Sequence, residues 1–111
     1  MPDADTALKA ALAGLGVPVA RLRYTGQANA FLTYQLVTGL DRAYSDDESE
    51  AEEWVYRVDI YARKNFIPML RRTKAALKGA GFFGIVIDPE VYESDTKFFH
   101  VPMEAHYMME V

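Results

Sequence analysis

The chain has 111 residues, half hydrophobic and a quarter charged, with 12 Lys+Arg against 16 Asp+Glu for a net charge of −4. A chain of this length makes one domain that buries roughly two-thirds of its unfolded surface, and its acidic balance argues against nucleic-acid binding driven by overall charge. The absence of cysteine excludes disulfides and thiolate metal sites, and no apolar run approaches the ~20 residues that span a bilayer.

The first residues, MPDADTALKAALAGLG, begin acidic and carry no basic n-region, so no signal peptide is expected and folding in the cytoplasm is. Residues 3–15 predict a helix. Asp3 or Asp5 can cap it by accepting from free backbone N–H groups. Leu8, Ala11, Leu12 and Leu15 share one face, and Gly14 or Gly16 can end it. Pro18 leads into an extended stretch over 19–24, then a turn at Thr25-Gly26-Gln27. Residues 31–37 read as a strand with Leu32, Tyr34 and Leu36 on one face and Phe31, Thr33, Gln35 and Val37 on the other.

Residues 38–53 read as a long connection. Six acids lie between Asp46 and Glu53, with Arg42 the only base in the segment. Loops this long in compact domains are functional or disordered, so the expectation is a mobile acidic hairpin arm. The alternation resumes over 54–62, with Trp54, Tyr56, Val58, Ile60 and Ala62 opposite Val55, Arg57, Asp59 and Tyr61.

Residues 66–80 carry the cleanest helical period. Phe66, Met69, Leu70, Thr73, Ala76, Leu77 and Ala80 fall on one side, and Lys64, Arg71, Lys74 and Lys78 gather on the other. Asn65 suits the N-cap, Pro68 the first turn, and Gly79 or Gly81 the stop. A short apolar strand over 82–87, a turn from Asp88-Pro89, an acidic segment over 90–95 and a last strand over 97–109 complete the chain. The links are mostly too short for crossovers, which predicts an antiparallel sheet. The expected architecture is a single α+β domain over 1–111. Its mostly antiparallel sheet has four or five strands, with two helices packed on one face, in the order α-β-β-β-α-β-β.

The catalytic and metal patterns that the sequence offers are incomplete. Gly79-Ala80-Gly81-Phe82-Phe83-Gly84 fits G-x-G-x-x-G, but a dinucleotide fingerprint needs a strand before the glycines and a helix after them. Here a helix comes first, so the run reads as a helix stop. His100 and His106 lie six residues apart on one strand, ~20 Å at ~3.3 Å per residue. They cannot share an ion there and read as surface or interface residues. The acids of 46–53 lack the fixed separation that acid–base chemistry needs. No catalytic, cofactor or metal site is expected. Interface residues are: Asp46, Asp47, Glu48, Glu50, Glu52 and Glu53 on the arm, and Lys64, Arg71, Lys74 and Lys78 on the helix. Pairing one set with the other between neighbouring copies gives a head-to-tail contact that can close into a ring.

Several short pieces, read in order, resemble a known family. They are Tyr24-Thr25-Gly26, Thr33-Tyr34, Tyr56-Arg57-Val58-Asp59-Ile60-Tyr61 and Leu77-Lys78-Gly79-Ala80-Gly81-Phe82. Asp88-Pro89, Tyr92-Glu93-Ser94-Asp95-Thr96 and Phe98-Phe99-His100-Val101 follow. Together they resemble the small tail-completion proteins encoded in the morphogenesis regions of long-tailed phages and prophages, tail terminators and head–tail joining proteins alike. The resemblance implies a non-enzymatic virion protein of the tail or neck, assembled in the bacterial cytoplasm. It implies a homo-oligomeric, hexameric ring that caps the tail-tube protein and meets the head connector protein. DNA passing through such a ring would be repelled by an acidic lining. The alternative from the residues alone is a small adaptor or regulatory module that binds a single protein partner.

Overall fold

The computed structural model describes residues 3–43 and 50–110. Helix α1 (Ala4–Ala13) is followed by strands β1 (Val19–Arg21), β2 (Ala30–Ala43) and β3 (Glu50–Ala62). Helix α2 (Ile67–Gly79) then leads into β4 (Phe83–Ile87), β5 (Val91–Glu93) and β6 (Phe98–Glu110). All six strands join one sheet in the order β1-β2-β3-β6-β4, with β5 also paired to β6.

The α+β class and the two helices agree with expectation; the sheet differs in three ways. It has six strands instead of four or five, because Val91-Tyr92-Glu93 pairs with the beginning of β6. It is mixed, because β1 runs parallel to β2 while the other pairs are antiparallel. The parallel pair needs no long crossover, because three residues of β1 suffice to match Leu32, Thr33 and Tyr34. Leu22, at φ 65°, begins the reversal from β1 toward β2. Finally, residues 38–43 and 50–53 are strand, not connection. Pairing of β2 with β3 continues from Thr38↔Val55 to Ala43↔Glu50, and β6 flanks β3 as far as Ala51↔Glu110. With ladder bonds on both sides of β3, pairing outweighs the weak strand preference of its acids. The remaining arm residues 44–49 lie outside the described residues.

Alternation along the three long strands builds the core. Leu32, Tyr34, Tyr56, Val58, Ile60, Val101, Met103, Ala105 and Tyr107 face the helices. There they bury against Ala4, Ala7, Leu8 and Leu12 of α1 and Leu77 of α2. Asp3 caps α1 by accepting from the Thr6 N–H at 2.7 Å. Asp5 instead turns toward the sheet, accepting from Arg21 at 2.9 and 3.1 Å and from the Tyr56 hydroxyl at 2.8 Å. At α2, Phe66 occupies the N-cap without a side-chain bond, and Asn65 Oδ1 accepts from the Ile67 N–H at 3.1 Å. The expected Asn65 cap is therefore displaced by one residue.

The glycine run ends α2 as its order requires. Gly81, at φ 99°, donates its N–H to Lys78, and Phe82 donates to Leu77. This is a Schellman closure, in which the residue after the left-handed glycine packs on the helix's last turn. Phe82 and Leu77 are both buried. Gly81→Ala should cost about 1–2 kcal/mol by forcing a Cβ into the left-handed region, read as a fall of several degrees in thermal midpoint.

Candidate functional site: an open sheet face, a basic groove and two free edges

The face of the sheet away from the helices carries the second set of alternating residues. Cross-strand register places Phe31, Tyr61 and His100 in one row across β2, β3 and β6. Their rings stack: Phe31 on Tyr61 at 4.6 Å between centroids, Tyr61 on His100 at 4.2 Å, and Tyr24 against the far side of Phe31 at 4.4 Å. Phe98 meets Phe31 edge-on, and the Arg63 guanidinium lies 4.3 Å over the Phe98 ring. Such rows are the stabilising unit of a sheet face. Beside them Tyr24, Phe31, Tyr61, Arg63, Glu93 and Phe98 line a hollow of about 410 Å³.

Both histidines lie on this face, each between two carboxylates. His100 Nε2 is 2.7 Å from Asp59 Oδ1, and its Nδ1 is 3.7 Å from Glu93. His106 Nδ1 is 2.6 Å from Glu53, and its Nε2 is 2.8 Å from Glu104. A ring carrying both protons would donate to both carboxylates; a neutral ring donates to one. Among the described residues no His, Asp and Glu group has the arrangement to hold a metal ion. In each row one carboxylate is buried, Asp59 or Glu53, and the partly exposed histidine beside it satisfies it.

The carboxyls respond to their neighbours. For Asp59, burial pushes its pKa up, but hydrogen bonds from His100 and Arg57 together outweigh it and hold the group below the ordinary aspartate value of 3.8. For Glu53, the His106 hydrogen bond, opposed by burial and helped by Arg42, holds the carboxyl below 4.5. A carboxyl depressed in the fold stabilises it fully above the unfolded value, and that share is lost as pH falls through the folded value. The thermal midpoint should therefore fall as pH drops below the ordinary carboxylate range, and fall less steeply in Asp59→Asn. An equal slope in both proteins would remove Asp59 from the account.

The expected interface residues separate into groups. Arg71, Lys74 and Lys78 come together with Ile67, Leu70 and Ile87 around a groove of about 570 Å³, lined by apolar and basic side chains together. None of them takes part in the ion pairs between described residues. Lys64 is not part of this cluster; it lies in the turn before α2, beside Asn29, Ala30 and Asn65. On the arm, Glu53 lies on the open face but is buried there, held by His106 and by Arg42 at 3.1 Å. Glu52 is half-buried opposite Asp41 and Met109. Glu50 pairs through its backbone with Ala43, and Asp46, Asp47 and Glu48 lie outside the described residues. The histidine rows went unread in the sequence because they depend on register. Periodicity alone placed Arg57 and Asp59 on one face and His100 and His106 on another strand, without saying which stood opposite which.

A bulge adds a second unread feature. Leu36 pairs with Tyr56 and Thr38 with Val55, so β2 carries one extra residue at Val37 and its faces exchange beyond it. Thr38, Leu40 and Arg42 consequently face the open side, and Gly39 and Asp41 face the helix side. Trp54 packs across Gly39, where a Cβ would meet the indole at 3.3 Å. Leu36, Val37 and Leu40 are left 40–53% exposed along this edge.

No protein-family model matches the sequence. No curated protein matches it either. Among solved structures, a chain described as belonging to the virion of a native gene transfer agent (GTA) particle is similar to this one. The TM-score is 0.52 at 13% identity, covering 97% of this chain and 87% of that chain. At that identity the likeness is one of fold. It extends over nearly the whole α1-to-β6 order, not over one motif.

No helix among the described residues is long and apolar enough to cross a membrane.

Proposed function

We propose that this chain is a non-enzymatic structural subunit of a phage-like virion. It forms a ring that terminates the tail tube or joins the tail to the head connector. The observation that carries this reading is the end-to-end fold likeness to a chain of a gene transfer agent virion. The residue pieces from Tyr24 to Val101 that resemble phage tail-completion proteins agree with it. So does the distribution of charge: a basic groove on α2 and an acidic run over 46–53 of the sequence give one subunit two segments of opposite charge. Unlike surfaces on one chain suit a heterologous contact, which closes into a ring when the rotation permits. The partners in this reading are further copies of the chain, a tail-tube protein and a head connector protein, and DNA crosses the lumen without specific contact.

A stop codon early in the gene, in the phage or prophage genome that carries it, tests the function. The expected lysate contains tail tubes of uncontrolled length or tails unattached to heads. Virions of normal form and titre would contradict the proposal.

A further inference from the structure

The sheet ends on two unpaired edges that match each other. β1 covers the outer edge of β2 only at Leu32, Thr33 and Tyr34, leaving residues 35–43 without a neighbour among the described residues. At the opposite side β4 is paired to β6 alone. Exposed edges are normally blunted by lysine, proline or another charge. Residues 35–40 and Phe83–Ile87 contain none of these, although a bulge interrupts each stretch and Asp41 and Arg42 follow the first. Their apolar side chains are open instead: Leu36 40%, Val37 53%, Phe83 42%, Val86 49% and Ile87 43% exposed.

Register shows that the two edges stand at the same height. Phe83 is level with His106, His106 with Val55, and Val55 with Thr38. Ile87 is level in the same way with Met103, Val58 and Tyr34. Three successive antiparallel pairings separate β4 from β2, so β4 runs opposite to β2. A neighbouring copy related by rotation about an axis along the strands therefore offers its β2 edge to β4 in antiparallel sense, at the level where β1 stops.

Charge agrees with this placement. Asp41 and Glu52 lie on the helix face of the sheet, beyond Thr38 toward the acidic end of the hairpin. α2 lies on the same face, and its last turn, with Lys78, leads directly into β4. Joining the edges brings these acids of one copy toward the Lys78 end of the basic α2 groove of the next.

We infer that copies of this chain assemble head to tail by pairing β4 of one with the free stretch of β2 of the next, giving a sheet continuous across subunits. The inference rests on the ring reading above and specifies its contact. The two bulges, at Val37 and between Phe83 and Val86, limit how far the pairing runs.

Because the chain lacks cysteine, engineered disulfides test this cleanly. One cysteine replaces Leu36, Val37 or Thr38, and a second replaces Phe83, Val86 or Ile87. Under mild oxidation at least one doubly substituted chain should give a ladder of covalent oligomers. The matching single variants should give a covalent dimer only when mixed. Val37→Lys should retain the thermal midpoint and lose the oligomer in light scattering. A scattering oligomer with no cross-link from any pair would overturn edge pairing and leave the ring reading standing. A single variant that cross-links to itself would overturn it in favour of a two-fold contact. A monomer at every concentration would overturn both.

Discussion

Tyr56→Ala should remove a large share of the domain's folding stability. Tyr56 is fully buried at the centre of β3, against Phe82 at 6.3 Å and Trp54 at 6.4 Å between ring centroids. Truncating a buried aromatic costs about 3–5 kcal/mol, against a total of roughly 5–15 kcal/mol for a domain. The hydroxyl adds a separate contribution. Burial, and then the Asp5 carboxylate, push its pKa well above the usual phenol value, so it stays protonated and donates to Asp5. Tyr56→Phe removes that bond alone, and Asp5 keeps both contacts from Arg21. The expected loss there is about 1 kcal/mol. Urea unfolding of the two variants separates the terms. If Phe cost as much as Ala, the hydrogen bond would dominate and the packing account of this core would be wrong.

Reversing the basic rim of the α2 groove should abolish assembly without unfolding the chain. In the proposed ring, Arg71→Glu, Lys74→Glu and Lys78→Glu together would turn a rim that attracts the acids of a neighbouring copy into one that repels them. Arg71 and Lys78 are exposed and Lys74 is half-buried, and surface substitutions of this kind usually stay within about 0.5 kcal/mol each. Like charges placed across an interface cost several kcal/mol, enough to lower association by on the order of 10³-fold or more. The expected result is a monomer with near-native circular dichroism, alongside an assembled wild type. Wild-type assembly should also weaken as salt screens the contact. A triple variant that assembled normally would show that this groove takes no part in the contact.

Part of this structure is legible in the sequence. α2 was legible because its apolar residues repeat over nearly four turns, and its stop because a glycine follows the last periodic leucine. The faces of β3 and β6 were legible because strict alternation separates Tyr56, Val58 and Ile60 from Arg57, Asp59 and Tyr61. β5 was hidden: Val91-Tyr92-Glu93 is too short for a period and lies among acids and beside Asp88-Pro89, which read as a turn. The upper half of the hairpin was hidden for a different reason. Thr38-Gly39 resembles a strand end, and the acids beyond it resemble solvent-exposed loop, yet pairing of β3 to β6 holds Glu52 and Glu53 in strand. Glu53 shows the consequence. As one of six acids in a run it read as a surface charge, and only the register that sets it diagonal to His106 makes it a buried partner. The bulge at Val37 has no local signature at all, because it arises from the match between two strands.

The central claim is that this chain is one subunit of a closed ring. Light scattering coupled to size exclusion, at low ionic strength and over a range of protein concentrations, tests it most directly. The account predicts one discrete species at a fixed multiple of the 12.5 kDa chain, six-fold in the expected ring, which does not grow further as concentration rises. A mass of one chain at every concentration would contradict it, and so would a mass that climbs without limit.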